Sequence, residues 1–223
     1  QRIQIPDYRS ALKEDLRGLR IGVPRHFFIE ARYNTGQETL DVVNRALADL
    51  ESLGARVEEV AIPSLRYAGD SNMAIILSEA FAYHKKNLVT QPENYGWVVR
   101  QRLYLGALLT AEDYVQAQRA RNRVRQELGE ALKKFDLLAM PCQPSPAAAV
   151  TDFDPTKSVL IPGFTAPFDL TGLPALSVPC GFSSTGLPIG LEIVGRAFDE
   201  ATVFRVANAY QDYAKWHLKR PQV

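Results

Sequence analysis

Two cysteines, two methionines and three histidines are all that the 223 residues hold of those types, and each scarcity closes a class of function. Cys142 and Cys180 lie far apart with no CxxC partner, which excludes a zinc ribbon or a redox pair and leaves two buried free thiols as the reading. His26, His84 and His217 have no ligand spacing to one another and are read as surface or satisfied core histidines, so no metal site is expected. No apolar run approaches the roughly 20 residues that span a bilayer. The opening residues also lack the basic, apolar and small-residue order of an export signal. No membrane partner is expected, and a cytoplasmic location is. Charge of one sign is missing too: 26 Lys+Arg against 25 Asp+Glu leave +1, no field that would draw in nucleic acid. No phosphate-cradling glycine loop, dinucleotide fingerprint, repeat or clear linker occurs. Neither a cofactor nor a second domain is therefore expected, and residues 1–223 are read as one unit.

What is there has the periodicity of an α/β protein. A chain of this length can bury roughly three-quarters of its unfolded surface. Residues 19–23 (LRIGV), closed by Pro24, read as a strand. Thr35 and Glu38 have capping-box spacing, and Leu40, Val43, Leu47, Leu50 and Leu53 then recur at steps of three and four, predicting an amphipathic helix that ends at Gly54. Val57, Val60 and Ile62 make a second strand stopped by Pro63, so residues 19–62 form a βαβ unit. Residues 71–89 read as helical. Thr110 and Asp113 cap a longer helix whose Tyr114, Ala117, Val124, Leu128, Leu132 and Phe135 share one stripe. Its Arg119, Arg121, Arg123 and Arg125 alternate and fall into two rows on separate, solvated faces. Residues 136–140 (DLLAM) read as a buried strand, and the Pro-rich stretch 141–167 as a long aperiodic loop of the kind that is functional or mobile. Residues 175–180 and 187–195 are two more strands, separated by the turn chemistry of Ser-Ser-Thr-Gly and paired as a hairpin or as neighbours in one sheet, and Asp199 can cap a last helix with Val203, Val206, Ala207 and Tyr210 facing inward.

Hydrolysis of an amide, a poor electrophile, needs an activated nucleophile, a base and oxyanion donors. The residues offer no such set. Ser183 and Ser184 lack the Gly-x-Ser-x-Gly surroundings of a nucleophile elbow and suit a turn; Ser177 lies inside a strand and is read as buried.

Five stretches in order nevertheless resemble one family: LRGLRIGVPRHFF at 16–28, SEAFAYHKKNL at 78–88, YGWVVRQRLYLGALLTAEDYVQAQRAR at 95–121, FDLLAMPCQPSPA at 135–147 and FTAPFDLTGLPALSVPCGFSSTGLPIGLEIVG at 164–195. Together they are similar to the later portion of the amidase signature family. The resemblance implies an α/β/α layered fold around a mixed sheet. It also implies a reaction run by a serine nucleophile, a second serine on a cis peptide and a lysine base, all of which precede the point matching Gln1. With no methionine before Met73, the expectation is an incomplete enzyme: the carboxy-terminal portion of an amidase, without catalytic residues of its own. Its partners would then be a small-molecule amide substrate and the missing amino-terminal half. Sheet edges left by that half would make a homo-oligomer possible. By position in the family, Arg102 and the loop Gly163, Phe164 and Thr165 are the substrate-side residues implied, with Tyr83 beside them. One departure bears on substrate. The A subunits of glutamyl-tRNA amidotransferases resemble one another in an aspartate before Phe-Thr, where this chain has Gly163. Losing that charge-assisted contact, worth up to about 3 kcal/mol, favours a general amidase over the glutamine-using relatives. A non-catalytic small-molecule-binding module, the A subunit of a glutamine-dependent glutamyl-tRNA amidotransferase and one polypeptide of a split enzyme are the competing readings.

Overall fold

The computed structural model describes residues 6–12, 15–152 and 163–220. Five strands, β1 (Arg20–Val23), β2 (Arg56–Glu59), β3 (Leu137–Pro141), β4 (Ala175–Phe182) and β5 (Pro188–Gly195), form one sheet in the order β2-β1-β3-β5-β4. β1 runs parallel to β2 and to β3; β5 runs antiparallel to β3 and to β4. The sheet is therefore mixed, and β3 is the strand at which the pairing changes sense.

The βαβ unit forms as its pattern dictates. Helix α1 (Arg25–Phe28) is a single turn after Pro24, and α2 (Gln37–Ser52) buries Val42, Val43, Ala46, Leu47 and Leu50 along one stripe. Gly54 stands just past its end at φ +100°, a left-handed backbone that favours glycine. The start differs from the capping-box expectation. Gly36 occupies the cap position, Thr35 donates its hydroxyl to Phe28 O, and the Glu38 carboxylate accepts from the backbone N–H of Ser184. Both side chains are drawn to tertiary partners that a spacing rule does not see.

Helices α3 (Ala68–Thr90), α4 (Trp97–Leu105) and α5 (Ala111–Lys134) follow. The box at α5 is made in full: Asp113 N–H donates to Thr110 Oγ1 at 3.2 Å and Thr110 N–H donates to Asp113 Oδ2 at 2.8 Å. These backbone and side-chain bonds hold the Asp113 carboxyl below its usual range. Ala117, Val124, Leu128, Leu132 and Phe135 are buried as the stripe requires. The stretch read as an aperiodic loop over 141–167 runs at its end into a short helix, α6 (Ala166–Thr171), closed by Gly172 at φ +72°. The last helix, α7 (Glu200–Ala214), is capped by Asp199, whose Oδ1 accepts from Thr202 N–H and, at 2.7 Å, from its hydroxyl.

α2 and α7 cover the sheet face that carries Leu191 and Ile193; the methyl position of Gly195, on that face, would press on Val203, and that of Gly181 on Val42. α3, α5 and α6 pack on one another over the opposite face. The result is three layers around one continuous core, each fully buried Leu or Ile contributing about 1.5–3 kcal/mol. Among the described residues β4 is an edge, and its Ala175, Ser177 and Pro179 are exposed, Ser177 against the expectation of burial because the strand that carries it lies at the rim of the sheet. Among the described residues, no helix is long and apolar enough to cross a membrane.

Candidate functional site

In open α/β sheets, ligands settle beyond the carboxyl ends of the parallel strands, at the point where the topology switches. Here the strand order reverses between β1 and β3, so that point lies where these two strands end. A cavity of about 480 Å³ opens there, walled by Cys142, Gln143 and Ser145 just past β3, by Ser177 of β4 and by Gly190 of β5. Backbone pairing continues one step past β3, with Cys142 N–H donating to Gly190 O at 3.1 Å. The thiol of Cys142 then donates to Ser177 Oγ at 3.0 Å. Gly190 makes this pair possible, since a methyl group on it would stand 2.7 Å from Ser177 Oγ and 3.1 Å from Cys142 Sγ. Burial pushes the Cys142 thiol up to about 11, so it stays neutral and unreactive at physiological pH. Cys142 is only part-buried, whereas Cys180 is buried as expected and is pushed up to about 12 by the same cause.

The loop Gly163–Thr165 meets this wall. A methyl group on Gly163 would lie 3.3 Å from Gln143 Nε2 and 3.6 Å from Thr165 Oγ1. Phe164 anchors the loop: it is fully buried, with edge-on ring contacts to Tyr33 at 4.9 Å and Phe27 at 5.6 Å, beyond the carboxyl end of β1. Its ring belongs to the core, and Gly163 is the residue that faces Gln143. Arg102 and Tyr83 stand elsewhere. Arg102 is exposed on α4, and Tyr83, 82% exposed on α3, packs edge-on against His84. Among the described residues, no hydrogen bond, ion pair or ring contact joins either of them to the Gly163 loop.

One group escaped the reading of the sequence. Glu192 lies directly opposite Ser177 on one side and Met140 on the other, on the same sheet face as Gly190. It is 3% exposed, and its Oε2 has no hydrogen-bond partner among the described residues. Burial first, and the charge of Asp169 second, push its carboxyl up to about 8, so it holds a proton at neutral pH. The signal was a lone Glu inside the apolar run LPIGLEIVG.

The histidines remain apart: His26 Nε2 accepts from Ile62 N–H, and His84 Nδ1 is hydrogen-bonded to Tyr95 Oη at 2.9 Å. The serine hydroxyls have other occupations. Ser177 is paired with Cys142, Ser183 with Thr185 at 2.8 Å, and Ser71 is buried. Ser183 also accepts from Leu187 N–H and closes the β4–β5 turn. Among the described residues, no serine hydroxyl is hydrogen-bonded to a lysine or histidine. The site can therefore hold a neutral polar ligand but does not itself contain a hydroxyl–base pair.

Comparison with known proteins bears on what the wall belongs to. The family model described as Amidase matches residues 2–204. The A subunit of the glutamyl-tRNA(Gln) amidotransferase of Brevibacillus brevis is 37% identical over 246 aligned positions, covering 99% of this chain and 50% of that protein. The protein of the same name from Oceanobacillus iheyensis is 34% identical over 247 positions, with the same coverage. A crystal structure of an amidase superposes with a TM-score of 0.79 at 30% identity, over 93% of this chain and 47% of its own. The chain thus spans about half the length of the relatives it matches.

Proposed function

The chain belongs to the amidase signature family, and we propose on that basis that the protein hydrolyses carbon–nitrogen amide bonds, with this chain contributing the scaffold and one wall of the substrate pocket. The nucleophile and base are assigned to the portion corresponding to the other half of the longer relatives. The observation that carries this reading is the cavity at the end of β3: its named polar groups are neutral, and among the described residues no serine hydroxyl beside it meets a lysine or histidine. Such a wall suits an uncharged carboxamide, which needs hydrogen bonds and no counter-ion. Gly163 and Thr165 take the substrate side in this proposal, with Phe164 fixing their loop; Arg102 and Tyr83 stand outside the lining of the cavity and enter the proposal as substrate contacts by family resemblance alone.

The substrate class proposed is a simple amide. With Gly163 in the loop, no carboxylate at that position meets the ammonium group of a zwitterionic amino acid. A second reading, the glutamine-using component of a tRNA-dependent amidotransferase, is favoured by the names of the relatives at 34% and 37% identity. One experiment separates the two. The intact protein is assayed with simple aliphatic and aryl amides and with glutamine, alongside the Gly163→Asp variant. Preference for simple amides, with glutamine use rising in the variant, supports the first reading. Equal use of glutamine by the unaltered protein overturns it, and no turnover of any amide by the intact protein leaves only a binding module.

A further inference from the structure

At the other end of the sheet lies a second recess that the reaction does not use. Asp136 and Phe135 precede β3, so this end is separated from the cavity beyond Pro141 by the whole strand. The recess is a trough of about 540 Å³. Leu128 and Leu132 of α5, with Leu173, form its floor, and Arg125, Lys133 and Arg196 stand around it.

Its construction follows from helix geometry. Arg125, Gly129 and Lys133 are spaced by four and share one row of α5, with Leu128 and Leu132 on the adjoining buried row. Gly129, the middle member of that row, has open space where a side chain would stand, so nothing divides the trough between the two cations. Arg196 is held rigidly: its Nε donates to Leu132 O at 2.8 Å, and its Nη2 donates to Phe135 O at 3.0 Å and to Asp136 Oδ1 at 2.8 Å. Lys133 pairs with exposed Glu130 at 2.6 Å. Arg125 makes no ion pair among the described residues. Among the described residues no carboxylate lines the trough itself; Glu130 and Asp136 neutralise part of the charge from outside it.

We propose that this trough binds a small carboxylate carrying a hydrocarbon body, the body on the leucine floor and the carboxylate against Arg125 and Lys133. The volume falls within the roughly 300–1,000 Å³ of small-molecule pockets, and such pockets pair an apolar lining with a few placed polar groups. A free guanidinium presents two parallel donors to a carboxylate, and the preset Arg196 adds field without reorganising.

The test is titration of the isolated protein with 4-phenylbutyrate, followed by amide NMR shifts and calorimetry. Two comparison ligands, 4-phenylbutyramide and inorganic phosphate, and the Arg125→Gln/Lys133→Gln variant complete the set. Both substituted residues are exposed, so the fold is retained, as melting will verify. Saturable binding that moves the Gly129 and Ala197 amides is expected. It should weaken at least about tenfold in the variant and at least about tenfold for the amide ligand, each tenfold being about 1.4 kcal/mol. Four outcomes overturn the proposal: no saturation up to about 10 mM phenylbutyrate, shifts centred on Cys142 and Gly190, affinity untouched by the substitutions, or phosphate binding as tightly as phenylbutyrate. Because the readout is binding, it stands apart from whether any amide is turned over.

Discussion

Replacing Glu192 by glutamine tests the electrostatics of the sheet most directly. The carboxyl is 3% exposed, its Oε2 lacks a partner among the described residues, and it is pushed up from the ordinary 4.5 to about 8. In the unfolded chain it ionises near 4.5; in the folded protein it keeps its proton to about 8. Below the lower value both states are protonated and ionisation contributes nothing to the balance. Between the two values only the folded state holds the proton, so stability falls as pH rises, by up to about 1.36 kcal/mol per pH unit. Above the higher value both states are ionised and the loss is complete. The interval sets a ceiling of about 5 kcal/mol, and relaxation around the buried charge should leave on the order of 2–4 kcal/mol. Glutamine has the shape of the protonated acid and never ionises. Glu192→Gln should therefore match the parent within about 1 kcal/mol at pH 5 and exceed it by about 2–4 kcal/mol at pH 9. Urea unfolding of both proteins at pH 5, 7 and 9 measures this. A stability difference that is flat across those pH values would refute the argument, because it would show the carboxylate to be solvated or paired. Asp169→Asn removes the second cause of the raised value, so the decline should end at a lower pH and its total should shrink.

Three further outcomes follow from the packing. Phe164→Ala, which removes a fully buried ring from the cluster with Tyr33 and Phe27, should cost about 3–5 kcal/mol in chemical unfolding. Gly106→Ala places a methyl group 2.2 Å from Leu77 O and 2.6 Å from Phe81 Cβ; because the first obstacle is backbone, a loss of about 2–3 kcal/mol is expected in thermal melts. With their thiols pushed up to about 11 and about 12, Cys142 and Cys180 should react with iodoacetamide far more slowly at pH 7.5 in the folded protein than in urea, as mass spectrometry would show.

Periodicity made much of the fold legible, because local rules operate where one face is buried. The stripe of α2, the Thr110–Asp113 box, the Asp199 cap and the β4–β5 turn all answer to spacing alone. Where a side chain had a stronger distant partner, spacing misled: Thr35 turns to Phe28 O and Glu38 to Ser184. α4 and α6 lay hidden, α4 because it is short and buries only Leu103, and α6 because Pro167 in its first turn reads as a loop signal until the residues after it are placed. The strand order needed tertiary structure, since sequence alone left the β4–β5 pairing as a hairpin or a neighbour relation and gave no position to β3. Of the site, the family's motifs pointed to the Gly163 loop, but nothing in spacing brings Gln143 to it. Glu192 was visible as a charge in an apolar run, yet its meaning depends on the strands beside it.

The outer rim of β4, open among the described residues, limits how copies of this chain can adhere. Pro174 turns its carbonyl inward, accepting from Gly195 N–H, so by alternation Ala175, Ser177 and Pro179 turn their backbone groups outward. Proline has no N–H to offer, and the irregularity between Pro179 and Gly181 twists the remainder away. A strand docking from solvent would find only the amides of Ala175 and Ser177 before the template gives out, a foothold for one specific mate and a poor seed for fibrils.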